Sequence, residues 1–211
     1  MESRPGKRRI IRPERSNRRP TLKRKNQTAW ACTSQDLGGL IRRRAENLFE
    51  TQQLLCSEAV LYVINRGLKG GLPAEMAIRL ASAFPEGVGG AGCICGAFSG
   101  AVMALGLFLG RQELNGRGAR KVQARGRELY ELFRSKFGTT CCRVLTKGVR
   151  DDPKALFKQC AGHTGEAAAL AAQIILAARP EVLEDADWDF LASEDSKLAA
   201  GLSTLLKLVR P

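Results

Sequence analysis

Apolar and polar positions along the chain follow a helical rhythm from Asp36 onward. Leu37, Leu40, Ile41, Leu48 and Phe49 share one face, with Arg42, Arg43, Arg44 and Glu46 opposite, and Asp36 stands where it could cap the start. A second helix is predicted from Cys56 to about Asn65, carrying Ala59, Val60, Val63 and Ile64, and ended by Gly67, Gly70 and Gly71. Leu72-Pro73 opens a third, with Met76, Leu80 and Phe84 as its inward positions. Pro85 to Gly92 reads as a glycine-rich loop. Cys95 to Leu109 is almost continuously apolar, and a long helix over Gly118–Phe137 turns Val122, Leu129, Leu132, Phe133 and Phe137 inward before Gly138 stops it. An irregular stretch carries Cys141, Cys142 and Cys160. One helix then spans Thr164–Ala178, and a last one runs from about Ser193 to Val209 with Leu198, Leu202, Leu205, Leu206 and Val209 in step. No alternating strand pattern and no internal repeat interrupts this. The expectation is an all-α fold, a compact multi-helix bundle around a central apolar helix.

The apolar stretch raises the question of a membrane span. No residue between Gly87 and Gly110 is charged, and Gly96–Gly100 forms a GxxxG pattern. Its first third is glycine loop, however, and the remainder falls short of the roughly 20 residues a span needs. A buried central helix is therefore expected, its small residues (Gly96, Ala97, Ser99, Gly100, Ala101, Ala104) letting neighbours approach closely.

Charge divides the chain. Residues 1–28 hold 11 of the 34 Lys and Arg and two of the 21 acids, so most of the net charge of +13 belongs to this segment. Rich in Arg, Pro and Asn and without periodicity, it reads as a disordered basic arm suited to weak contact with nucleic acid or an anionic surface. It lacks the apolar core of a secretory signal, and a cytoplasmic location is expected. The remaining boundaries expected are a helical cysteine domain over 29–180 and a C-terminal helical extension over 181–211.

Seven cysteines against one histidine set the candidate chemistry: Cys32, Cys56, Cys93, Cys95, Cys141, Cys142 and Cys160. In a cytosolic chain, thiols in this number point to metal or redox work more than to structural disulfides. His163 is expected to cap or pack near a helix start. Gly87-x-Gly89-x-x-Gly92 matches a dinucleotide fingerprint, but a helix precedes it and no βαβ rhythm surrounds it, so that reading is set aside. Cys95 directly follows the glycine loop at a helix start, where free amides and the helix dipole favour a thiolate. Cys56 has a similar place, while Cys142 and Cys160 flank a loop. Trp188 and Phe190 are expected to dock the C-terminal extension.

Cys95-Gly-Ala-Phe-Ser-Gly100 supplies a CGAxxG element. With Cys56-Ser-Glu-Ala-Val60 upstream and Phe137-Gly-Thr-Thr-Cys141-Cys142-Arg143 and Cys160 downstream, residues 40–178 resemble the redox-active protein family named for its C-GCAxxG-C-C pattern. The resemblance implies a small helical protein that binds an iron–sulfur cluster, of 2Fe–2S type for example, with Cys56, Cys95, Cys142 and Cys160 as metal ligands. Gly92, Gly96 and Gly100 would support the cluster through their backbone. Cys93 and Cys141 are departures from the pattern and stand as spare ligands or redox thiols. The separations of 39, 47 and 18 residues match no zinc ribbon or ferredoxin loop. Three readings follow: electron transfer or redox sensing through a cluster; a thiol–disulfide or zinc-binding module without one; and a nucleic-acid-associated redox regulator using the arm. The redox partner is undefined, a homodimer is compatible with the sequence, and no general acid–base constellation marks an enzyme.

Overall fold

A computed structural model describes residues 24–114 and 117–197. Their helices are α1 (Arg24–Glu50), α2 (Cys56–Gly67), α3 (Ala74–Ala81), α4 (Pro85–Val88), α5 (Gly96–Leu109), α6 (Ala119–Phe137), α7 (Cys142–Leu145), α8 (Pro153–Ala178) and, after a 3₁₀ turn at Pro180–Leu183, α9 (Trp188–Ala192). The described residues contain no strand; one isolated antiparallel bridge pairs Ile94 with Cys141. The fold is all-α, as the periodicity predicts.

Helix α5 is the apolar hub. It packs on α2, α6 and α8, and Ala97, Phe98, Ala101, Ala104, Leu105 and Phe108 are buried along it. Its small residues act as expected: a β-carbon at Gly100 would lie 2.5 Å from the Ser57 carbonyl oxygen, so α2 and α5 meet backbone to backbone. Helix α8 closes the other side, lying along α1 and burying Ala167, Ala168, Ala171, Ala172, Ile174 and Ile175. Among the described residues no helix is long and apolar enough to cross a membrane.

Several expectations change. Asp36 is no cap: α1 begins at Arg24 and takes in residues 24–28 of the segment read as a disordered arm. Residues 1–23 lie outside the described residues, as does the expected final helix from Leu198 onward, but its expected start near Ser193 is not helical: residues 193–196 are irregular. Helix α3 buries Ala77 and Ala81 and packs Ile78 on the core, while the expected inward residues Met76 and Leu80 are exposed. The glycine loop holds the short turn α4, in which Glu86 and Val88 take left-handed backbone (φ 57° and 62°) beside Gly87, Gly89, Gly90 and Gly92.

Helix α8 starts a full three turns before the expected Thr164. Asp152 caps it by accepting from the amides of Lys154 and Ala155, with Pro153 as its first residue. Cys160 is therefore helical and not in a loop. At the C-terminal end Phe190 is buried with the guanidiniums of Arg44 and Arg66 over its ring, 4.9 and 4.1 Å from the centroid, and Asp195 pairs with Arg44 at 3.1 Å. Phe190 thus docks this extension, whereas Trp188 remains partly exposed.

Candidate functional site

Four helix positions deliver the four motif cysteines. Cys56 is the first residue of α2, Cys95 the N-cap residue of α5, Cys142 the first residue of α7, and Cys160 lies two turns into α8. All four line one cavity of about 970 Å³. Phe49, Leu54, Leu145, Leu156 and Phe157 give it apolar walls; Glu86, Arg143, Arg150, Thr146 and His163 are among its polar groups.

Local structure sets these positions. The N-terminus of α2 is anchored by Glu58, whose carboxylate accepts from the Leu55 amide (2.9 Å) and the Ser82 hydroxyl (2.7 Å). Gly96 lets α5 start against α2, since a β-carbon there would lie 2.5 Å from Cys56 Sγ. Around the Ile94–Cys141 bridge, the Cys95 amide donates to the Thr140 carbonyl (2.8 Å) and the Cys142 amide to the Cys93 carbonyl (2.7 Å). Arg143 extends the clamp with its amide on the Gly92 carbonyl (3.0 Å) and its Nη2 on the Ala91 carbonyl (2.7 Å). A two-residue pairing thereby holds the Cys95 and Cys142 segments together across 47 residues of chain.

Position along this pairing separates Cys95 and Cys142 from Cys141. Neighbouring residues of an extended segment face opposite sides. Cys95 and Cys142 share one side and line the cavity; Ile94 and Cys141 take the other. Cys141 is absent from the lining and its Sγ donates to the Gly92 carbonyl at 3.4 Å. Cys93 is exposed, also outside the lining. Gly92 lines the cavity with φ +72°, Gly96 abuts Cys56, and Gly100 lies one turn further, where it serves the α2–α5 contact. Cys32 is in α1, and its side chain is outside the described residues.

Burial dominates the thiols. It pushes Cys56 up to about 12, with the Cys95 sulfur adding to the rise and the backbone amides of Glu86 and Ser57 opposing it. Cys160 is likewise raised to about 12 by burial, reinforced by Cys95 and Cys142. Cys95 is raised by burial despite the amides of Phe98 and Ala97 at the α5 N-terminus, so the helix end does not overcome desolvation there. Cys142, less enclosed, is raised by burial and by Cys141, with the Arg150 charge acting against the rise. Burial thus favours the protonated form of all four thiols. Among the described residues no three Cys, His, Asp or Glu side chains are grouped closely enough to hold one metal ion.

His163 lies inside α8, not at a helix start; it is buried with its ring edge-on to Phe137 at 4.6 Å, and burial lowers its pKa. Glu86 and Arg150, which line the cavity, carry no sequence signal for it. Phe157 sits three residues before Cys160, and the Asp152-Pro153 helix start would have placed both on one helical face.

The family model described as "Putative redox-active protein (C_GCAxxG_C_C)" matches residues 54–174, more than half of the chain and all four motif cysteines. No curated protein and no solved structure matches. The chain belongs to this redox-active C-GCAxxG-C-C family.

Proposed function

We propose that Cys56, Cys95, Cys142 and Cys160 hold an iron–sulfur cluster in the cavity and that the protein works in electron transfer or redox sensing. The observation that carries this is the presence of four thiols, from four separate elements, on the wall of one cavity. The donor set fits such a group. Four soft sulfurs suit iron–sulfur ligation without any sequence spacing between them. The four thiols also act on one another electrostatically, Cys56 with Cys95 and Cys160, and Cys142 with Cys95 and Cys160, as members of one site would.

When bound, the cluster would supply one-electron transfer. The chain's own contribution is fourfold. Glu86 and Ser57 amides face the Cys56 sulfur, and Ala97 and Phe98 amides face Cys95, stabilising negative charge there. Arg150 adds positive charge near Cys142. Phe49, Leu54, Leu145 and Phe157 limit water. The raised thiols release their protons on ligation, which makes assembly favour alkaline pH.

Anaerobic reconstitution with ferrous iron and sulfide, followed by visible and electron paramagnetic resonance spectra before and after reduction, tests the reading. A sulfur-to-iron charge-transfer band that bleaches on reduction is expected. Protein that stays colourless after reconstitution, or that takes up zinc alone, would overturn it.

A further inference from the structure

Cys93 is the most solvent-open of the six cysteines whose side chains are described, and the cluster reading gives it no task. Its position is nevertheless defined by backbone hydrogen bonds. Ile94 and Cys141 form the bridge, and the Cys142 amide donates to the Cys93 carbonyl at 2.7 Å. In that antiparallel register Cys93 lies directly opposite Cys142. Only one of the two hydrogen bonds of such an opposed pair is made, because the Cys93 amide donates to the Gly87 carbonyl (3.1 Å) and Cys142 opens α7; opposed residues of a regular pair have Cα atoms about 5.5 Å apart, the separation most common across disulfides. Cys93 has the parity of Cys95 and Cys142 along this pairing, and its side chain is exposed outside the cavity lining. Gly87 tightens the arrangement: a β-carbon there would meet the Cys142 β-carbon at 2.8 Å and the Cys93 amide at 2.7 Å.

We propose that Cys93 and Cys142 form a reversible disulfide, a redox modification site that withdraws Cys142 from the cavity's ligand set. The oxidant is a small-molecule disulfide. The exposed Cys93 thiolate attacks one of its sulfurs, forming a mixed disulfide and expelling one thiolate. Cys142, after losing its proton to solvent, attacks Cys93 Sγ and expels the second thiolate. Two protein thiols are oxidised by two electrons and one small disulfide is reduced to two thiols. An external thiol reverses both steps. The disulfide stands on backbone register alone; its effect on the cavity rests on the cluster reading proposed above.

The test treats the full metal-free chain with oxidised glutathione, blocks remaining thiols and maps peptides, using Cys95→Ser and Cys141→Ser to resolve neighbours. A Cys93–Cys142 link with loss of two hydrogens is expected, absent in Cys93→Ser. Pairing of Cys93 with Cys95 or with a second chain, or a stable mixed disulfide at Cys93 with Cys142 still free, would overturn the proposal. Reconstitution with iron and sulfide then separates the two claims. Oxidised wild type should lose cluster uptake while equally treated Cys93→Ser retains it. Uptake by wild type bearing the link would overturn the regulatory role. A link in protein that never takes up a cluster, reduced or oxidised, would overturn the cluster reading and its regulation but leave the disulfide standing.

Discussion

Gly96 and Cys56 are in such close apposition that hydrogen is the largest group position 96 accepts: a β-carbon would lie 2.5 Å from Cys56 Sγ and 3.0 Å from the Phe84 carbonyl oxygen. The glycine of the CGAxxG element is therefore a packing requirement of the cysteine site. Gly96→Ala is expected to cost about 1–3 kcal/mol through overpacking and to shift Cys56. Gly106→Ala in the same helix meets open space and should be neutral or stabilising by up to about 1 kcal/mol. Chemical unfolding of both variants checks the contrast; equal effects would contradict it.

The thiols predict a pH dependence of stability. Unfolded cysteine releases its proton near the ordinary value of 9.0, while folded Cys56 and Cys160 hold theirs to about 12. Between those values the folded state binds more protons, so metal-free protein should be fully stabilised by this effect below 9.0 and lose it as pH rises toward 12. Denaturant titrations from neutral to alkaline pH should show that decline, and Cys56→Ala should flatten part of it.

Reactivity should follow burial. Exposed Cys93 is expected to alkylate first in metal-free protein, and Cys56 and Cys160 last. Their thiolate populations at neutral pH are lower than a free cysteine's by on the order of 10²–10³-fold. Mass spectrometry of a timed iodoacetamide reaction reads this order directly.

Glu58 carries the start of α2, and with it Cys56. Removing the carboxylate leaves the Leu55 amide and the Ser82 hydroxyl without this partner. Glu58→Ala should destabilise by about 1–3 kcal/mol and speed alkylation of Cys56 selectively over Cys160. Equal acceleration at both sites would indicate general loosening instead.

Much of this architecture was legible where apolar residues repeat over several turns, as along α2, α5 and α6. Two local misreadings have physical causes. In the eight-residue α3, alanines fill the buried face, so the larger Met76 and Leu80 could take solvent positions. In α8, Gly162, Thr164 and Gly165 obscured a helix that Asp152 and Pro153 had already started. The cysteine motif named the four residues, but not their meeting place. The Ile94–Cys141 bridge involves too few residues to leave a period, and Phe49, Glu86 and Arg150 join the cavity through contacts distant in sequence from the motif cysteines beside them.

The central claim is that Cys56, Cys95, Cys142 and Cys160 act as one ligand set while Cys141, facing away, does not. Iron and acid-labile sulfide per chain, measured after anaerobic reconstitution of the four single serine variants and of Cys141→Ser, test it most directly. Substitution at any of the four should abolish or sharply reduce both quantities, and Cys141→Ser should match the unaltered protein. Undiminished iron and sulfide in the Cys142→Ser or Cys160→Ser variant, or their loss in Cys141→Ser, would contradict the assignment.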